Sequence, residues 1–300
     1  MICPHCNTQN PPDAVYCIGC NALLPSPAEE KKQKRIAVAL ALLTAVLVPL
    51  FYVFVMASVT IVWSTRFSLT VPSGITETQF TELYTEAFNR DSTYMSIISA
   101  CLAVLIIGLF YAMRQKSLVD AANIRSASPM KFGSAFVCGL TLQIPIGLIL
   151  ALIPFSDSVV NNHNELMTAA TSPMWVQMLY SVIIAPVIEE IFFRGIAHDR
   201  LAKAMPVPLA AIISSVGFAV IHGELLAIIV AFVCGLVLSL LYSRFNTVLV
   251  PIAFHIGFNL FAYATSYITD PILTVAVAIA SVALFIGSTY LLLKRDDADS

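Results

Sequence analysis

Long apolar runs constrain the fold of this chain more than any other feature. Eight mostly apolar stretches of 17 to 29 residues are separated by shorter polar links. A helix needs about 20 apolar residues to cross the hydrocarbon core of a bilayer. Backbone groups in lipid must be satisfied internally, which favours helices for such runs. Hydrophobic residues make up 58% of the chain and charged residues only 11%, against about 25% charged in soluble proteins. The sequence therefore predicts an all-α polytopic membrane protein with about eight transmembrane helices.

The boundaries of the predicted spans follow from the polar links between them. The links include a polar loop at 66–92, with a short amphipathic helix at 80–88, and a loop at 156–172 without lysine or arginine. Pro145 predicts a kink in the third span. The spans are, in chain order, 36–64, 93–113, 132–155, 174–196, 206–222, 225–242, 247–268 and 271–293, with a polar tail after them.

The placement of lysine and arginine predicts the orientation in the membrane. With the N-terminus inside and eight alternating spans, 14 of the 16 basic residues fall on one side, and only Arg66 and Arg90 on the other. Basic residues accumulate on the cytoplasmic side. We therefore expect a multi-pass cell-membrane protein, bacterial in character, with both termini in the cytoplasm. The chain has no basic patch with interleaved aromatic residues, so no nucleic-acid partner is expected.

Four of the seven cysteines form two C-x-x-C pairs at the N-terminus. Cys3 and Cys6 are followed after ten residues by Cys17 and Cys20. Four thiolates at this spacing can close the tetrahedral shell of one structural zinc ion. Disulfides would be the alternative, but the cytoplasmic location predicted for this segment is reducing. The pattern predicts a zinc-ribbon head at 1–24, in which His5 is a solvated neighbour.

The stretch A-P-V-I-E-E-I-F-F-R-G, residues 185–195, places three charged side chains inside a predicted span. Such residues are costly in lipid and usually face a protein interior or a water-filled cavity. Glu190 and Arg194 are four residues apart, so they share a helix face and can pair. Glu189 is rotated about 100° from Glu190 and has no partner in its own helix. A buried ion pair with a spare glutamate is the structural alternative to a catalytic site.

Two further spans carry polar clusters with a spacing of one helical turn. Phe218 and His222 end the fifth span, and His255 and Asn259 lie in the seventh. Because these groups have no partner in lipid, we expect them to meet Glu189 in one polar pocket. A carboxylate and an imidazole can activate water, and a second imidazole with a carboxamide can stabilise an oxyanion. The same residues could ligate a divalent metal, although asparagine is a poor zinc ligand. The chain lacks H-E-x-x-H, G-x-S-G and a pair of intramembrane aspartates.

The three clusters together resemble the motifs of a known family. E-E-x-x-x-R, F-x-x-x-H and H-x-x-x-N, in this order and spacing, are similar to those of the CAAX prenyl protease and bacteriocin-processing family, the CPBP or Abi-type intramembrane endopeptidases. The likeness covers roughly residues 173–262. It implies that Glu189 is the general base and that His222 orients the water. It further implies that His255 and Asn259 stabilise the oxyanion, with Glu190 and Arg194 in support, and it leaves a metal at the Glu/His site undecided.

These expectations define five segments and a preferred function. The segments are a zinc-ribbon head (1–24), a basic linker (25–35), three N-terminal spans with their loops (36–172), a protease-like core (173–268), and a last span with the tail (269–300). The preferred function is an intramembrane endopeptidase acting on membrane-associated peptides or proteins. The first alternative is a non-catalytic scaffold or immunity-type protein that recruits a partner through the ribbon. The second is a transporter, which the absence of an internal repeat disfavours.

One difficulty concerns the depth of the polar residues. Glu189 lies about 21 Å from the expected end of its helix near Lys203, whereas His255 lies about 12 Å from Thr247. The groups can meet only if a helix starts earlier, tilts or is broken. Pro186, Gly195 and two further prolines of this region allow such irregularity.

Overall fold

A computed structural model describes residues 2–12, 14–265 and 270–294 of the chain, which form a small N-terminal head followed by helices. Among these described residues, six helices are long and apolar enough to cross a membrane, and two shorter apolar helices accompany them. The prediction of an all-α membrane protein is confirmed. In chain order the described helices are α1 (Pro27–Thr70), α2 (Glu77–Met113), α3 (Leu118–Ala121), α4 (Pro129–Ala151), α5 (Asp157–Ala169), α6 (Met174–Ala204), α7 (Val207–Val220), α8 (Leu225–Phe245), α9 (Leu249–Thr265) and α10 (Pro271–Leu293).

The first two helices are longer than predicted, since the polar loop expected at 66–92 is helical except at 71–76, and the short helix predicted at 80–88 is part of α2. The helix α1 runs on to Thr70, and α2 starts at Glu77 with a reciprocal capping box between Thr76 and Gln79. The 44 residues of α1 correspond to about 66 Å, twice the thickness of the hydrocarbon core, about 30 Å. The hairpin of α1 and α2 therefore extends well beyond the bilayer. Outside the hydrocarbon core a helix can carry polar residues, because they are in contact with water.

An aromatic cluster joins the two helices of this hairpin. The ring of Trp63 stacks on Phe67 at 5.5 Å and contacts the ring of Tyr84 edge-on at the same centroid distance. Phe80 and Phe88 flank Tyr84 on α2. Aromatic pairs of this kind add about 0.5–1.5 kcal/mol each beyond area burial. They hold the protruding part of α1 and α2 together.

Two other predicted polar segments also contain helices. The basic linker is helical from Pro27, where Ser26 and Glu29 form a capping box. The loop after α4 contains the amphipathic helix α5. His163 on α5 lies 2.7 Å from the carboxylate of Glu224, which caps α8 through the amides of Leu226 and Ala227. The helix α5 is thereby attached to the start of α8.

The helix α6 is irregular, as its proline and glycine residues indicate. It contains π-helical turns at Leu179–Ile184 and at Glu190–His198, on either side of the α-helical segment Ala185–Glu189. Pro186 lies in the segment between them, and Gly195 lies in the second π-helical turn. Such turns rotate the side chains that follow relative to a regular helix.

Close helix packing sets the position of α9. A Cβ atom on Gly139 of α4 would lie 1.9 Å from the carbonyl oxygen of Phe254. A Cβ atom on Gly257 of α9 would lie 2.1 Å from the carbonyl oxygen of Phe136. Small residues allow this approach in membrane helices. The two contacts fix α9, and with it His255, against α4.

Polar side chains tie the helices together at the end of the bundle predicted to be cytoplasmic. The side-chain amide of Asn123 donates to the Asp199 carboxylate at 3.2 Å, and the hydroxyl of Tyr242 donates to the same carboxylate at 3.1 Å. The backbone carbonyl of Asn123 accepts a hydrogen bond from the backbone amide of Val248 at 3.2 Å. Lys131 is buried and donates to carbonyls at the end of α10. The seventh predicted span ended at Ile268, which lies outside the described residues, as does the tail after Lys294.

Candidate active site

The Glu190 carboxylate lies at the centre of the intramembrane polar cluster. One of its oxygens accepts a hydrogen bond from Arg194 at 2.8 Å and lies 2.9 Å from Nδ1 of His255. Glu190 and Arg194 are fully buried, and His255 is 5% exposed. The i,i+4 pairing of Glu190 with Arg194, predicted from the sequence, is therefore present. His255 adds a second helix to the pair.

Glu189 lies on the other side of the His255 ring. Its carboxylate is 3.8 Å from Nε2 of His255, too long for a hydrogen bond but within the range of an ion pair. The Glu189 side chain is 11% exposed, whereas that of Glu190 is fully buried. The imidazole of His255 thus lies between two carboxylates, one bonded tightly and one held at a distance.

The ring of Phe218 connects the three motifs. The Arg194 guanidinium lies over this ring at 4.3 Å from its centroid. The rings of His222 and His255 contact it edge-on, with centroids at 4.9 and 5.9 Å. A cation over an aromatic face in a desolvated site is stabilised by about 2 kcal/mol. The sequence marked Phe218 only as part of a motif, and the structure shows that it is the surface on which the cation and both imidazoles pack.

His222 is the exposed member of the cluster. It lies just beyond the end of α7, and its Nδ1 atom is 2.9 Å from the carbonyl of Phe218. A hydrogen bond from Nδ1–H to this carbonyl would leave Nε2 of a neutral ring as an acceptor. Gly223, with φ of 76°, and the Glu224 cap then reverse the chain into α8.

Asn259 contacts a backbone carbonyl released by the irregular part of α6. In a π-helical turn each amide bonds the carbonyl five residues earlier, as the amide of Ala185 does with Tyr180. The next residue, Pro186, has no amide hydrogen for the carbonyl of Ser181. That carbonyl accepts instead from the Asn259 side chain at 2.7 Å. Ser181 was missed by the sequence reasoning, although Pro186 inside a predicted span was a signal that a carbonyl nearby would need another donor.

The difference in depth expected between the glutamates and His255 is smaller in the structure, because the end of α6 and the start of α9 do not lie at the same level. Asn123 bonds both Asp199 and the amide of Val248, so the start of α9 lies level with Asp199, not with Lys203. Glu190 is nine residues from Asp199, about 13 Å, and His255 is seven residues from Val248, about 10 Å. The π-helical turns of Glu190–His198 wind more residues into each turn and therefore shorten this part of α6 further.

A structural metal ion is held where several ligand atoms lie close together. Within the described ranges, the cluster of histidine, cysteine and acidic residues close enough to hold an ion is that of Cys3, Cys6, Cys17 and Cys20. In the intramembrane cluster the contacted oxygen of Glu190 and Nδ1 of His255 already face each other. The chemistry that this arrangement supports is water activation by a carboxylate beside hydrogen-bond donors.

The N-terminal cysteines fit a zinc ion. Their ligand atoms lie within 4.8 Å of one another, with Sγ separations of 3.6 Å for Cys3 and Cys20 and 3.4 Å for Cys6 and Cys17. A tetrahedral site with Zn–S bonds of about 2.3 Å requires sulfur atoms about 3.8 Å apart, whereas a disulfide requires about 2.05 Å. The separations therefore match zinc coordination. His5 is exposed and outside this group.

The two cysteine pairs repeat one backbone turn. The amide of Asn7 donates to the carbonyl of Cys3, and that of Asn21 donates to Cys17, with φ of 57° and 55° at the two asparagines. These turns aim amides at the sulfur atoms. Burial pushes the pKa of Cys17 upward, but hydrogen bonds from the amides of Cys20 and Gly19 outweigh it and lower this pKa to about 6. The thiolate form of Cys17 is thereby favoured, whereas the pKa of Cys20 is raised to about 12.

Comparison with known proteins defines the class of both parts. Residues 171–261 match the family model described as type II CAAX prenyl endopeptidase Rce1-like, and residues 2–24 match a zinc-ribbon domain. The chain is thus a multi-pass membrane protein in which residues 171–261 are similar to a membrane protease family and residues 2–24 are similar to a zinc ribbon. All three intramembrane motifs lie within the matched range.

A curated relative is similar to the same region. The chain is 33% identical over 86 residues to a Bacillus subtilis (strain 168) protein named "Putative membrane peptidase YdiL". The match spans 29% of this chain and 35% of that protein. No solved structure matches the chain.

Proposed function

We propose that the chain is an intramembrane endopeptidase that hydrolyses peptide bonds of membrane-associated peptides or proteins. The membrane protease family of residues 171–261 supports this reaction class. The observation that carries the proposal is the position of Glu189, a carboxylate with no helix partner, 3.8 Å from Nε2 of His255 at the edge of a buried cluster. In this scheme Glu189 takes a proton from a water molecule oriented by His222, and the hydroxide attacks the scissile carbonyl.

The charges around His255 suit it to stabilise the oxyanion. Two carboxylates, Glu189 and Glu190, face this ring, and Arg194 balances only one of them. Because Nδ1 of His255 lies within hydrogen-bond distance of Glu190, Nε2 is the ring atom that can donate to the developing oxyanion. Asn259 has a second amide hydrogen beyond the one given to Ser181. The proton on Glu189 then passes to the leaving amine, which restores the carboxylate.

Replacing Glu189 by glutamine tests the proposal. Glu189→Gln keeps the shape of the side chain but removes the base, so proteolysis should be lost while the protein still folds. The measurement is mass spectrometry of new peptide N-termini in membranes from cells that produce wild-type protein or the variant. A peptide spanning a detected cleavage site is then incubated with the purified protein. Glu165→Gln, a change on the exposed side of α5, is the matched control and should keep full activity.

Identical sets of new N-termini from the wild-type and Glu189→Gln proteins would contradict the proposal. They would favour the scaffold alternative, for which the ribbon offers exposed apolar side chains at Ile2, Ile18 and Leu23. In that function a protein partner binds the ribbon, and the intramembrane cluster serves packing alone.

Whether a metal ion binds at the Glu/His site can be tested separately. We propose that water activation uses Glu189 without a metal and that the chain binds one zinc ion, in the ribbon. Metal analysis of purified protein should then give one zinc per chain in the wild type and in Glu189→Gln. A second metal equivalent that disappears in Glu189→Gln would show a metalloprotease site instead.

Orientation and location are part of the proposal. The lysine and arginine distribution supports the proposal that both termini lie in the cytoplasm, and we propose that the cell is bacterial. Prenylated protein processing is not included, because no residue described here identifies a prenyl-binding surface. The substrate is therefore proposed only as a peptide or protein that reaches the membrane.

A further inference from the structure

Two side chains of α9 contact the same residue of α6, Ser181. The carbonyl of Ser181 accepts a hydrogen bond from Nδ2 of Asn259 at 2.7 Å, and its hydroxyl oxygen lies 2.8 Å from the hydroxyl of Tyr263. Asn259 and Tyr263 are four residues apart, so they lie on one face of α9, one turn from each other. Two contacts with one residue restrain both the level and the rotation of α9 against α6.

The directions of the two helices explain why one serine can accept both contacts. Glu190 lies beside His255. Ser181, nine residues before Glu190, contacts the residues four and eight positions after His255, so α6 and α9 run antiparallel. A helical carbonyl points towards the C-terminus of its helix, and the side chain leans towards the N-terminus. The carbonyl of Ser181 therefore lies on the side of Asn259, and its hydroxyl lies on the side of Tyr263.

The donors and acceptors of this group fit one arrangement. The Ser181 hydroxyl donates its single hydrogen to the carbonyl of Gln177 at 2.8 Å, so Tyr263 is the donor in the hydroxyl pair. A carbonyl only accepts, so the Asn259 atom beside the Ser181 carbonyl is the amide nitrogen. The orientation of the Asn259 carboxamide is thereby fixed. Its second N–H remains for the oxyanion of the proposed mechanism.

We propose that Tyr263 is a positioning residue of the candidate active site and that it acts through Ser181 to hold the Asn259 carboxamide at the oxyanion. A misplacement of about 1 Å can lower a reaction rate about a hundredfold, so a donor at the oxyanion needs a fixed level and rotation. Tyr263 lies one turn beyond the H-x-x-x-N motif and outside the matched range 171–261. This inference deepens the proposed function and rests on it.

Removal of the Tyr263 hydroxyl tests this role in the full-length protein. Tyr263→Phe keeps the ring, and the substrate is the peptide that spans a detected cleavage site. We expect kcat to fall about tenfold with KM unchanged, because a small displacement of a donor used only in the transition state lowers kcat alone.

The matched control is a second hydrogen bond between a tyrosine and a serine. The hydroxyl of Tyr84 lies 2.9 Å from that of Ser64 in the protruding hairpin of α1 and α2. Tyr84→Phe therefore removes a bond of the same kind and should keep the wild-type kcat. A kcat of Tyr263→Phe equal to that of Tyr84→Phe overturns the proposal.

Further variants distinguish positioning from a loss of folded protein. In an Asn259→Ala background the oxyanion donor is absent, so Tyr263→Phe should lower kcat no further, whereas a loss of folded protein would lower it equally in both backgrounds. Ser181→Ala removes the same bond from its other side and should match Tyr263→Phe, which it replaces in the test if that variant does not fold. Ser181→Thr keeps the hydroxyl and should keep the wild-type kcat. An undiminished effect of Tyr263→Phe in the Asn259→Ala background also overturns the proposal.

Failure of the proposed function would give a different result. Peptide cleavage that is equal in the wild type and Glu189→Gln would remove the proteolytic function itself. Cleavage that is lost in Glu189→Gln but unchanged in Tyr263→Phe would leave that function in place and remove only the role of Tyr263.

Discussion

At the scale of single residues, the cluster depends on the shared carboxylate of Glu190. Its contacts with Arg194 and His255 join α6 to α9, and the Arg194 guanidinium on Phe218 adds α7. Charges buried in this way are costly to remove from water, and their mutual attraction offsets that cost only while both are present. Each charge is therefore most harmful to stability when its partner is missing.

The first prediction compares loss of one charge with loss of both. Arg194→Met leaves Glu190 without its cation and should destabilise the protein by about 3–5 kcal/mol. The double variant Glu190→Gln/Arg194→Met should be more stable than Arg194→Met alone. Thermal unfolding of the purified proteins in detergent, monitored by intrinsic fluorescence, gives the order of their stabilities.

An ion pair of the same spacing whose cation is exposed provides the control. Lys203 and Asp199 are also four residues apart on α6, but the Lys203 side chain is 71% exposed. Lys203→Met should change stability by no more than about 1 kcal/mol. A double variant less stable than Arg194→Met would show that the buried charges stabilise independently and would refute the argument.

At the scale of elements, the irregular helix α6 determines where the catalytic candidates point. Pro186 deprives the carbonyl of Ser181 of an amide donor, and Asn259 from α9 supplies the replacement at 2.7 Å. Asn259 thus has a structural contact in addition to its proposed role at the oxyanion. The two effects can be separated because the structural one depends on the proline.

The second prediction follows from this dependence on Pro186. Asn259→Ala leaves the Ser181 carbonyl without its donor and should lower stability by about 1–3 kcal/mol. In a Pro186→Ala background, which supplies a backbone amide, Asn259→Ala should cost less. Unfolding of the four proteins of this double-mutant cycle measures the coupling. Equal losses of stability in both backgrounds would mean that Pro186 is not the reason why the Ser181 carbonyl lacks a backbone donor.

A third prediction concerns the attachment of α5 to α8. Burial opposes ionisation of Glu224, but hydrogen bonds from His163 and from the amides of Leu226 and Ala227 outweigh it and lower its pKa. A carboxyl group with a lowered pKa contributes stability above its unfolded-state pKa, and this contribution is lost as the pH falls through the folded-state value. We expect α5 to stay attached at neutral pH and to separate from α8 below about pH 4.5, the ordinary value.

Hydrogen exchange measured at a series of pH values checks this attachment. Protection of the α5 amides, corrected for intrinsic rates, should fall at acid pH in the wild type. In Glu224→Gln it should already be low at neutral pH and should not depend on acid. The variant Glu165→Gln, on the same helix but outside the contact, should behave as the wild type. A pH response that persists in Glu224→Gln would assign the effect to another group.

At the scale of the whole molecule, the sequence predicted the elements that lie in lipid better than those outside it. The eighth span, 271–293, agrees with α10 at both ends, because lipid imposes length and composition together. Beyond the bilayer only a short helix at 80–88 was predicted, because the polar residues of α1 and α2 there look like a loop. Their helical state depends on capping at Thr76 and on contacts between Trp63 and Tyr84 that no hydropathy pattern contains.

The candidate site was predictable as a set of residues but not as a set of contacts. Spacing of four residues paired Glu190 with Arg194 correctly. The approach of His255 to both glutamates could not be derived from residue spacing, since that approach depends on the level at which α9 starts. Asn123 sets this level through Asp199 and Val248, and it lies more than a hundred residues before α9 in the chain. Such long-range contacts leave no local signal in one sequence.

The ribbon head and the membrane bundle are stabilised by different forces, and removing a zinc ligand should separate them. The buried core of the head consists of Cys3, Cys17 and Leu24, far too small to fold a domain without metal. The bundle has its own apolar clusters. Cys17→Ser should abolish zinc binding, measured by metal analysis, and make the head sensitive to added protease. The bundle should unfold at its wild-type temperature. Cys101→Ser, which changes an exposed cysteine of α2 outside the cluster, should retain the metal. A lowered unfolding temperature of the bundle in Cys17→Ser would show that the two parts are coupled.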